Sequence, residues 1–291
     1  MFRVLISYLY TIVAVIAALI TIILFVHNVF GAVSEQGKLG IYFIGFFAIV
    51  FFIQSLWQKL RYSKAAQYGK ILSQLNNGFA QIHRLIRKQD LTINEAILIV
   101  RNLLTEVADA FTRITGTKCC TSIKILAGVE EGNEQRLQII NLARDLDSEN
   151  SRKYPKEGDA PHFVDENTDF LSILKNIDKA NGDYYISNQL PLLYGYKNSS
   201  FRYYKDLPED YGFFPFRALL RWYRWPLPYK STIVVPIWPG TAKEISQETL
   251  VGFLCVDSPN MFAFNRDRDL DIMHGVAEGL YNAILKIKEL V

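Results

Sequence analysis

The chain has 291 residues, of which half are hydrophobic and 21% are charged, and its formal net charge is +3. The apolar content is too high for a disordered protein, and the charge content is too high for a transporter made mostly of membrane spans. The near balance of acidic and basic side chains also argues against duplex nucleic acid as the main partner.

The N-terminal fifth of the sequence is apolar and almost free of charge. No formally charged residue occurs from Val4 to Ser34 or from Leu39 to Gln58. A helix needs roughly 20 apolar residues to cross a bilayer. The sequence therefore predicts two spans, at about 4–30 and 39–57, joined by a short polar turn into a transmembrane hairpin over 1–58. A signal peptide is disfavoured, because its apolar region is only ~7–15 residues long.

Basic residues follow the second predicted span, and no acidic residue occurs after it until Asp90. These basic residues are Lys59, Arg61, Lys64, Lys70, Arg84, Arg87 and Lys88. Cytoplasmic flanks of membrane spans carry an excess of Lys and Arg. The pattern predicts a multi-pass protein of the inner membrane with both termini in the cytoplasm and the lipid bilayer as a partner.

Residues 59–91 connect the predicted hairpin to the rest of the chain, and they show an apolar seam. The seam residues are Ala65, Tyr68, Leu72, Leu75, Phe79, Ile82 and Ile86. Their alternating spacings of three and four are typical of a coiled coil. We therefore favour a coiled-coil-like helix that self-associates with a second copy of the chain. The alternative is a helix packed against its own domain.

Residues 92–291 are predicted to form a cytoplasmic α+β domain. Thr92 and Glu95 have the spacing of a capping box that starts a helix, and Gly116 ends it. Strand patterns cover Cys119–Ala127, Leu137–Leu142, Tyr184–Ser187, Ser231–Trp238 and Leu250–Asp257, and a final helix starts near Asn265. Residues 129–169 are dense in charge and are predicted to be a long solvated excursion. Such an order is typical of an antiparallel sheet with flanking helices.

Three segments of this domain resemble those of GAF domains. They are Ser231–Ile237 (STIVVPI), Leu250–Ser258 (LVGFLCVDS) and Phe264–Met273 (FNRDRDLDIM). Family members often carry a small residue before a strand that contains Pro near its end, then a Gly-led strand, then a Phe and acidic residues that open the last helix. The resemblance covers about residues 92–290 and implies a GAF-like antiparallel sheet.

The resemblance also implies a sensory or dimerisation module, and some GAF domains bind cyclic nucleotides, haem or bilins. This sequence departs from the cyclic-nucleotide pattern, because Asn260 is followed by Met261 instead of Lys, and the acidic pair expected after Phe264 is missing. We therefore do not expect a simple cyclic mononucleotide as the ligand, and the sequence names no cofactor.

The segment 201–230 alternates aromatic and basic side chains. Aromatic rings stack on planar ligands and Arg grips phosphate through two parallel hydrogen bonds, so one hypothesis is a lid over a small anionic or nucleotide-like ligand. The residues assigned to that site are Arg217, Arg221, Trp222, Arg224 and Trp225. A second hypothesis is contact with lipid head groups. The third is a structural loop whose aromatic rings complete the core.

Three cysteines, Cys119, Cys120 and Cys255, are the candidate nucleophiles. They lack zinc-site spacing, and their places within strands favour inert thiols over a redox or sulfoxide-reducing role. We find no catalytic constellation and no metal site, so the sequence predicts that the protein is not an enzyme.

These patterns together predict a membrane-anchored sensory protein. A ligand would favour one conformation of the GAF-like domain, and the connecting helix would transmit that bias to the membrane hairpin or to a partner. One alternative is an effector, gated by a nucleotide second messenger, whose hairpins oligomerise and perturb the bilayer. Another is a dimerising scaffold that binds no ligand.

Overall fold

The chain divides into two compact units, Met1–Gly69 and Lys70–Val291. The computed structural model describes Gly45, Ile49, Val50 and residues 68–131, 134–151, 161–176, 184–204, 221–239 and 249–290. Apart from those first three residues, the transmembrane hairpin predicted over 1–58 lies outside the described part. Within the described ranges, no helix combines the length and the apolar character that crossing a membrane requires.

The first helix, α1 (residues 68–87), packs against its own domain. Its buried side chains include Ile71, Leu75, Ile82 and Leu85. Leu72, a member of the predicted seam, is 67% exposed. The buried stripe therefore lies partly one residue off that seam, with Ile71 and Leu85 taking the places predicted for Leu72 and Ile86. This is the alternative of a helix packed on its own domain, and the described residues do not support the coiled coil.

The second helix, α2 (Ile93–Thr115), begins and ends where the sequence predicts. The Thr92 hydroxyl accepts a hydrogen bond from the Glu95 backbone N–H at 3.4 Å. In a complete capping box the Glu95 side chain would accept from the Thr92 backbone N–H. Here the Glu95 carboxylate binds the Lys88 ammonium at 2.6 Å instead, so only the Thr92 half of the box forms. Gly116 ends the helix with a φ of 69°, a conformation that glycine adopts at little steric cost.

Among the described residues, six strands form one antiparallel sheet in the order β3-β2-β1-β6-β5-β4. The strands are β1 (Cys120–Glu131), β2 (Glu134–Arg144), β3 (His162–Phe163), β4 (Tyr185–Ser187), β5 (Ser231–Ile237) and β6 (Gly252–Ser258). Further helices within the described ranges include α3 (Leu146–Ser151), α4 (Thr168–Asn176) and α5 (Arg266–Lys288). The predicted α+β class, an antiparallel sheet with flanking helices, is confirmed.

The long helices α2 and α5 cover one face of the sheet. Alternate strand residues such as Ile123, Val235 and Leu254 pack against them in the largest core, because neighbouring strand residues point to opposite faces. Gly279 of α5 leaves room for Phe79 of α1, whose ring atom Cζ lies 3.0 Å from the place a β-carbon would take. The helix α1 therefore rests on α5.

Lys286 of α5 holds the C-terminal end of α1. Its ammonium donates to the backbone oxygens of Ile86 at 2.8 Å and Lys88 at 2.5 Å, and a cation at a helix C-terminus also interacts favourably with the helix dipole. We expect Lys286→Met to lower the free energy of unfolding by about 1–2 kcal/mol in urea denaturation. Lys288→Met is the control, because Lys288 makes a longer bond of 3.4 Å to Leu126. Equal losses in the two variants would contradict this role of Lys286.

Candidate functional site

The second face of the sheet, opposite α2 and α5, is covered by α4. Val234 of β5 and Phe253 and Cys255 of β6 pack there with Phe170 and Ile173 of α4 in a smaller core. The ring centroids of Phe170 and Phe253 are 4.8 Å apart. The strands and α4 therefore enclose a layer of side chains distinct from the main core.

Polar side chains lie on this second face beside the apolar ones. Strand alternation places Ser122 and Lys124 of β1, Thr232 of β5 and Asp257 of β6 on it. The Thr232 hydroxyl donates to the Asp257 carboxylate at 2.6 Å, and the Lys124 ammonium lies 5.2 Å from the centre of the Phe170 ring. Charged side chains are uncommon at interior positions of a covered strand unless they are paired. This part of the sheet is therefore a candidate binding surface.

Asp169, in the first turn of α4, adds a buried carboxyl to this face. One of its oxygens accepts a hydrogen bond from the Phe170 backbone N–H at 3.0 Å. Burial raises the pKa of Asp169 from 3.8 to about 6, while the Lys124 charge lowers this pKa and the Asp257 charge raises it. A carboxyl whose pKa is moved toward neutrality by burial and by named charges is typical of a functional site.

The Tyr185 hydroxyl of β4 is buried near the same carboxyl. Burial raises the pKa of Tyr185 above its ordinary value, the Asp169 charge raises it further, and the Ser187 side chain lowers it. Among the described residues this hydroxyl has no hydrogen-bond partner of good geometry, which is rare for a buried polar atom. A bound molecule with an acceptor atom would satisfy it. We name Ser122, Lys124, Asp169, Tyr185, Thr232 and Asp257 the polar face.

The polar face was not predicted from the sequence. The strand predicted over Leu137–Leu142 lies within β2, but the solvated excursion predicted over 129–169 is wrong for Asp169, which is buried. One signal was available in Lys124, a cation inside an otherwise apolar alternating strand. No group of three His, Cys, Asp or Glu side chains within the described ranges is placed to bind a metal ion.

The segment predicted to form a ligand lid builds a small aromatic core where it is described. Trp225 is buried there with Leu190, Tyr196 and Leu227. Its indole N–H donates to the Tyr229 backbone oxygen at 2.6 Å. Trp225 therefore stabilises the surrounding loops, as the third interpretation of this segment expects.

Arg221 is buried beside this aromatic core. Its Nη1 donates to the Leu193 backbone oxygen at 2.9 Å, and its guanidinium carbon lies 5.4 Å from the centre of the Trp225 ring. Because both interactions are internal, Arg221 fastens two loops together, and its stem is covered as the structural interpretation predicts.

The other predicted lid residues lie elsewhere. Trp222 and Arg224 are exposed, and the Lys230 ammonium lies 5.1 Å from the centre of the Trp222 ring. Arg217 lies outside the described residues. The described part of the chain therefore does not bring the five predicted residues into one pocket, and the ligand lid stays a prediction.

The buried thiols are held in conditions that suppress their reactivity. Burial raises the pKa of Cys119 to about 11 and raises the pKa of Cys255 well above its ordinary value, and the nucleophile is the thiolate. We expect at most one of the three cysteines, Cys120, to react rapidly with Ellman's reagent in the folded protein, and all three to react in urea. Two fast equivalents without denaturant would contradict this expectation.

No protein-family model and no curated protein matches the sequence of this chain. Similar solved structures include the GAF domain of the Acinetobacter phosphoenolpyruvate-protein phosphotransferase, 13% identical over 76% of this chain and 95% of that one, with a TM-score of 0.39. The corresponding domain from Coxiella burnetii is 11% identical over 75% and 98%, with a TM-score of 0.39. The type II free methionine-R-sulfoxide reductase from Thermoplasma acidophilum is 14% identical over 66% and 96%, with a TM-score of 0.36.

These similarities correct one prediction from the sequence. We predicted that the protein is not an enzyme, but the similar structures include the Thermoplasma reductase and the free methionine-R-sulfoxide reductase of Staphylococcus aureus. The prediction does not stand as drawn, because enzymes are among the similar structures. With TM-scores between 0.36 and 0.43, the likeness carries no argument about individual residues, ligands or reactions.

Proposed function

We propose that this protein is a membrane-anchored sensor whose GAF-like domain binds a small polar ligand at the polar face. The observation that carries the proposal is the buried Asp169 carboxyl, whose pKa is influenced by Lys124, together with the Tyr185 hydroxyl near it. A surface with an acid, a cation and a buried hydroxyl suits a ligand that has both donors and acceptors. The GAF-like assignment draws support from the motifs at Ser231–Ile237 and Gly252–Ser258, which are adjacent strands.

The proposed signal passes through the central strands. Strand β5 places Thr232 on the polar face and Ile233 in the main core beneath α2 and α5. A ligand that shifts β5 or β6 therefore changes the packing of α5, on which α1 rests. The ligand biases the equilibrium between two conformations by as much as its affinities for them differ.

The membrane part of the proposal is supported by the sequence. The uncharged segments at 4–30 and 39–57 are each long enough to span a bilayer. The basic residues that follow them favour termini in the cytoplasm and anchoring in the inner membrane. Membrane fractionation of cells that express the full chain tests this expectation, and recovery in the soluble fraction would contradict it.

Thermal unfolding of the full chain with one candidate ligand at a time tests ligand binding. The panel holds mono-, di- and oligonucleotide messengers, haem and free amino acids. A ligand at 100 times its dissociation constant stabilises the folded state by about 2.7 kcal/mol. Dye leakage from vesicles on ligand addition would favour the alternative of a membrane-perturbing effector over a sensor.

Two variants test whether the ligand binds at the polar face. Lys124→Gln should abolish the thermal shift, whereas Lys175→Gln, at an exposed position of α4, should leave it unchanged. A shift that survives Lys124→Gln but not Trp222→Ala would move the site to the predicted lid. The absence of any shift across the panel would favour the scaffold that binds no ligand.

A further inference from the structure

Three loops beyond the polar face are fastened to one another by hydrogen bonds. They are residues 188–196, 221–230 and 259–264. Arg221 Nη1 donates to the Leu193 backbone oxygen at 2.9 Å, and the Phe262 backbone N–H donates to the Asn188 backbone oxygen at 2.8 Å. The first loop therefore joins the other two into one surface.

This surface exposes large apolar side chains to solvent. They are Leu192, Tyr194, Trp222, Tyr223 and Phe262, which we name the loop patch. Tyr194 is 76% exposed, Tyr223 is 83% exposed and Phe262 is 69% exposed. Single exposed apolar side chains are ordinary, whereas several on one surface mark an interaction site.

Phe262 is held in a backbone conformation that disfavours it. Its φ is 57°, in the left-handed region where a β-carbon is crowded. Asn188 fixes this loop, because its side-chain amide donates to the Phe264 backbone oxygen at 2.8 Å and accepts from the Phe264 N–H at 2.9 Å. The fold thus maintains an unfavourable conformation that leaves the Phe262 ring in solvent, as strained sites of interaction do.

The segments that carry most of the patch are basic and free of acid. Residues 221–239, which carry Trp222 and Tyr223, contain no Asp or Glu, and neither do residues 184–204, which lie between Asp183 and Asp206 in the sequence. Their basic residues are Lys197, Arg224 and Lys230, together with Arg202, which pairs with Glu166 at 2.5 Å, and Arg221, which is buried. Because the whole chain is nearly balanced at +3, this is a local asymmetry. The exposed Arg224 and the Lys230 ammonium, which lies 5.1 Å from the Trp222 ring centre, place positive charge beside the exposed rings.

We propose that the loop patch docks on an anionic lipid surface. Trp and Tyr rings settle at the level of lipid head groups, where one end of the ring is apolar and the other is wet. Lys and Arg beside them are attracted by the negative potential of anionic head groups. The exposed rings of Trp222 and Tyr223 suit the head-group level, and the basic side chains of Arg224 and Lys230 suit its negative charge. The contact is made by the folded domain itself and is separate from the predicted spans and from the polar face.

A fluorescent label on the full chain tests the proposal. An environment-sensitive fluorophore is attached at position 223 through Tyr223→Cys, and at position 278 of α5 through Glu278→Cys as the control, both in a Cys120→Ser background. The labelled proteins are placed in vesicles of phosphatidylcholine, with or without phosphatidylglycerol. We expect a blue shift and quenching by nitroxide lipids at position 223 alone, and only with phosphatidylglycerol. Salt at about 1 M should reverse both, because the Debye length falls to about 3 Å.

Three results would overturn the proposal. They are no change at position 223 with phosphatidylglycerol, an equal change at position 278, and quenching that is as strong in phosphatidylcholine alone. A further pair of variants tests the charge, since Arg224→Gln should weaken the quenching at low salt whereas Lys175→Gln should not. Quenching that Arg224→Gln leaves intact would count against electrostatic docking.

Discussion

Adding one methyl group at Gly252 is expected to lower the free energy of unfolding by about 3 kcal/mol, the upper end of the usual cost of overpacking. Gly252 begins β6 and pairs with Ile125 of β1 and Ile237 of β5. A β-carbon there would overlap the Lys124 carbonyl oxygen and lie 3.0 Å from the Ile125 Cα. Both obstacles are backbone atoms of a central strand, so no side-chain rotation relieves the contact. Urea denaturation of Gly252→Ala measures the loss.

The matched control is another glycine. Gly275 lies on α5, and no atom of another described element lies within 4 Å of the place a β-carbon would take. Alanine is favoured over glycine inside a helix by about 0.5–1 kcal/mol, so Gly275→Ala should stabilise the protein. A Gly252→Ala variant as stable as the natural chain would mean that β6 can move away from β1, contrary to the observed pairing.

Asp169→Asn is expected to stabilise the folded protein at neutral pH. The folded-state pKa of about 6 lies above the ordinary value of 3.8, so the folded state binds the proton more tightly than the unfolded state. The stability that depends on Asp169 is therefore complete below pH 3.8 and is lost as the pH rises through about 6. This difference corresponds to about 3 kcal/mol, and asparagine does not incur it because it carries no charge.

Chemical unfolding at several pH values measures the effect. The stability advantage of Asp169→Asn should be small near pH 4 and should grow up to about pH 7. Asp271→Asn, at an exposed position of α5, is the control and should follow the natural chain. Parallel pH profiles for the natural chain and Asp169→Asn would contradict the raised pKa. If the polar face binds a ligand, the more stable variant should also respond to it less, since functional groups often cost stability.

The elements with strong local signals were predictable from the sequence. The start and end of α2 depend on Thr92 and Gly116, whose effects act within a few residues. The strands β5 and β6 depend on runs of β-branched and apolar residues, which favour a covered strand. The face that α1 buries was less accessible. Ile71 and Leu72 are both apolar, and the surface on which the helix packs decides which one is covered.

The candidate site was less predictable than the fold. Lys124, Asp169 and Asp257 are far apart in the sequence, and they interact because β1 pairs with β6 and α4 lies over the same face. No regular spacing in the sequence predicts that these three side chains lie close together. The aromatic and basic composition of 201–230 was visible, but composition alone does not separate a core ring such as Trp225 from a solvent-exposed ring such as Tyr223.

The strand β6 makes one sheet out of two. It lies between β1 and β5, so among the described strands β3-β2-β1 on one side and β5-β4 on the other are joined through residues 252–258. During translation both halves leave the ribosome before β6, and each presents an unpaired edge that can recruit another chain. Pairing across such sequence distances is slow, because a long loop must close first. The half-sheet β3-β2-β1 is complete at Phe163, so its β1 edge stays open while residues 164–251 are synthesised, and it is exposed to association with other chains during that interval.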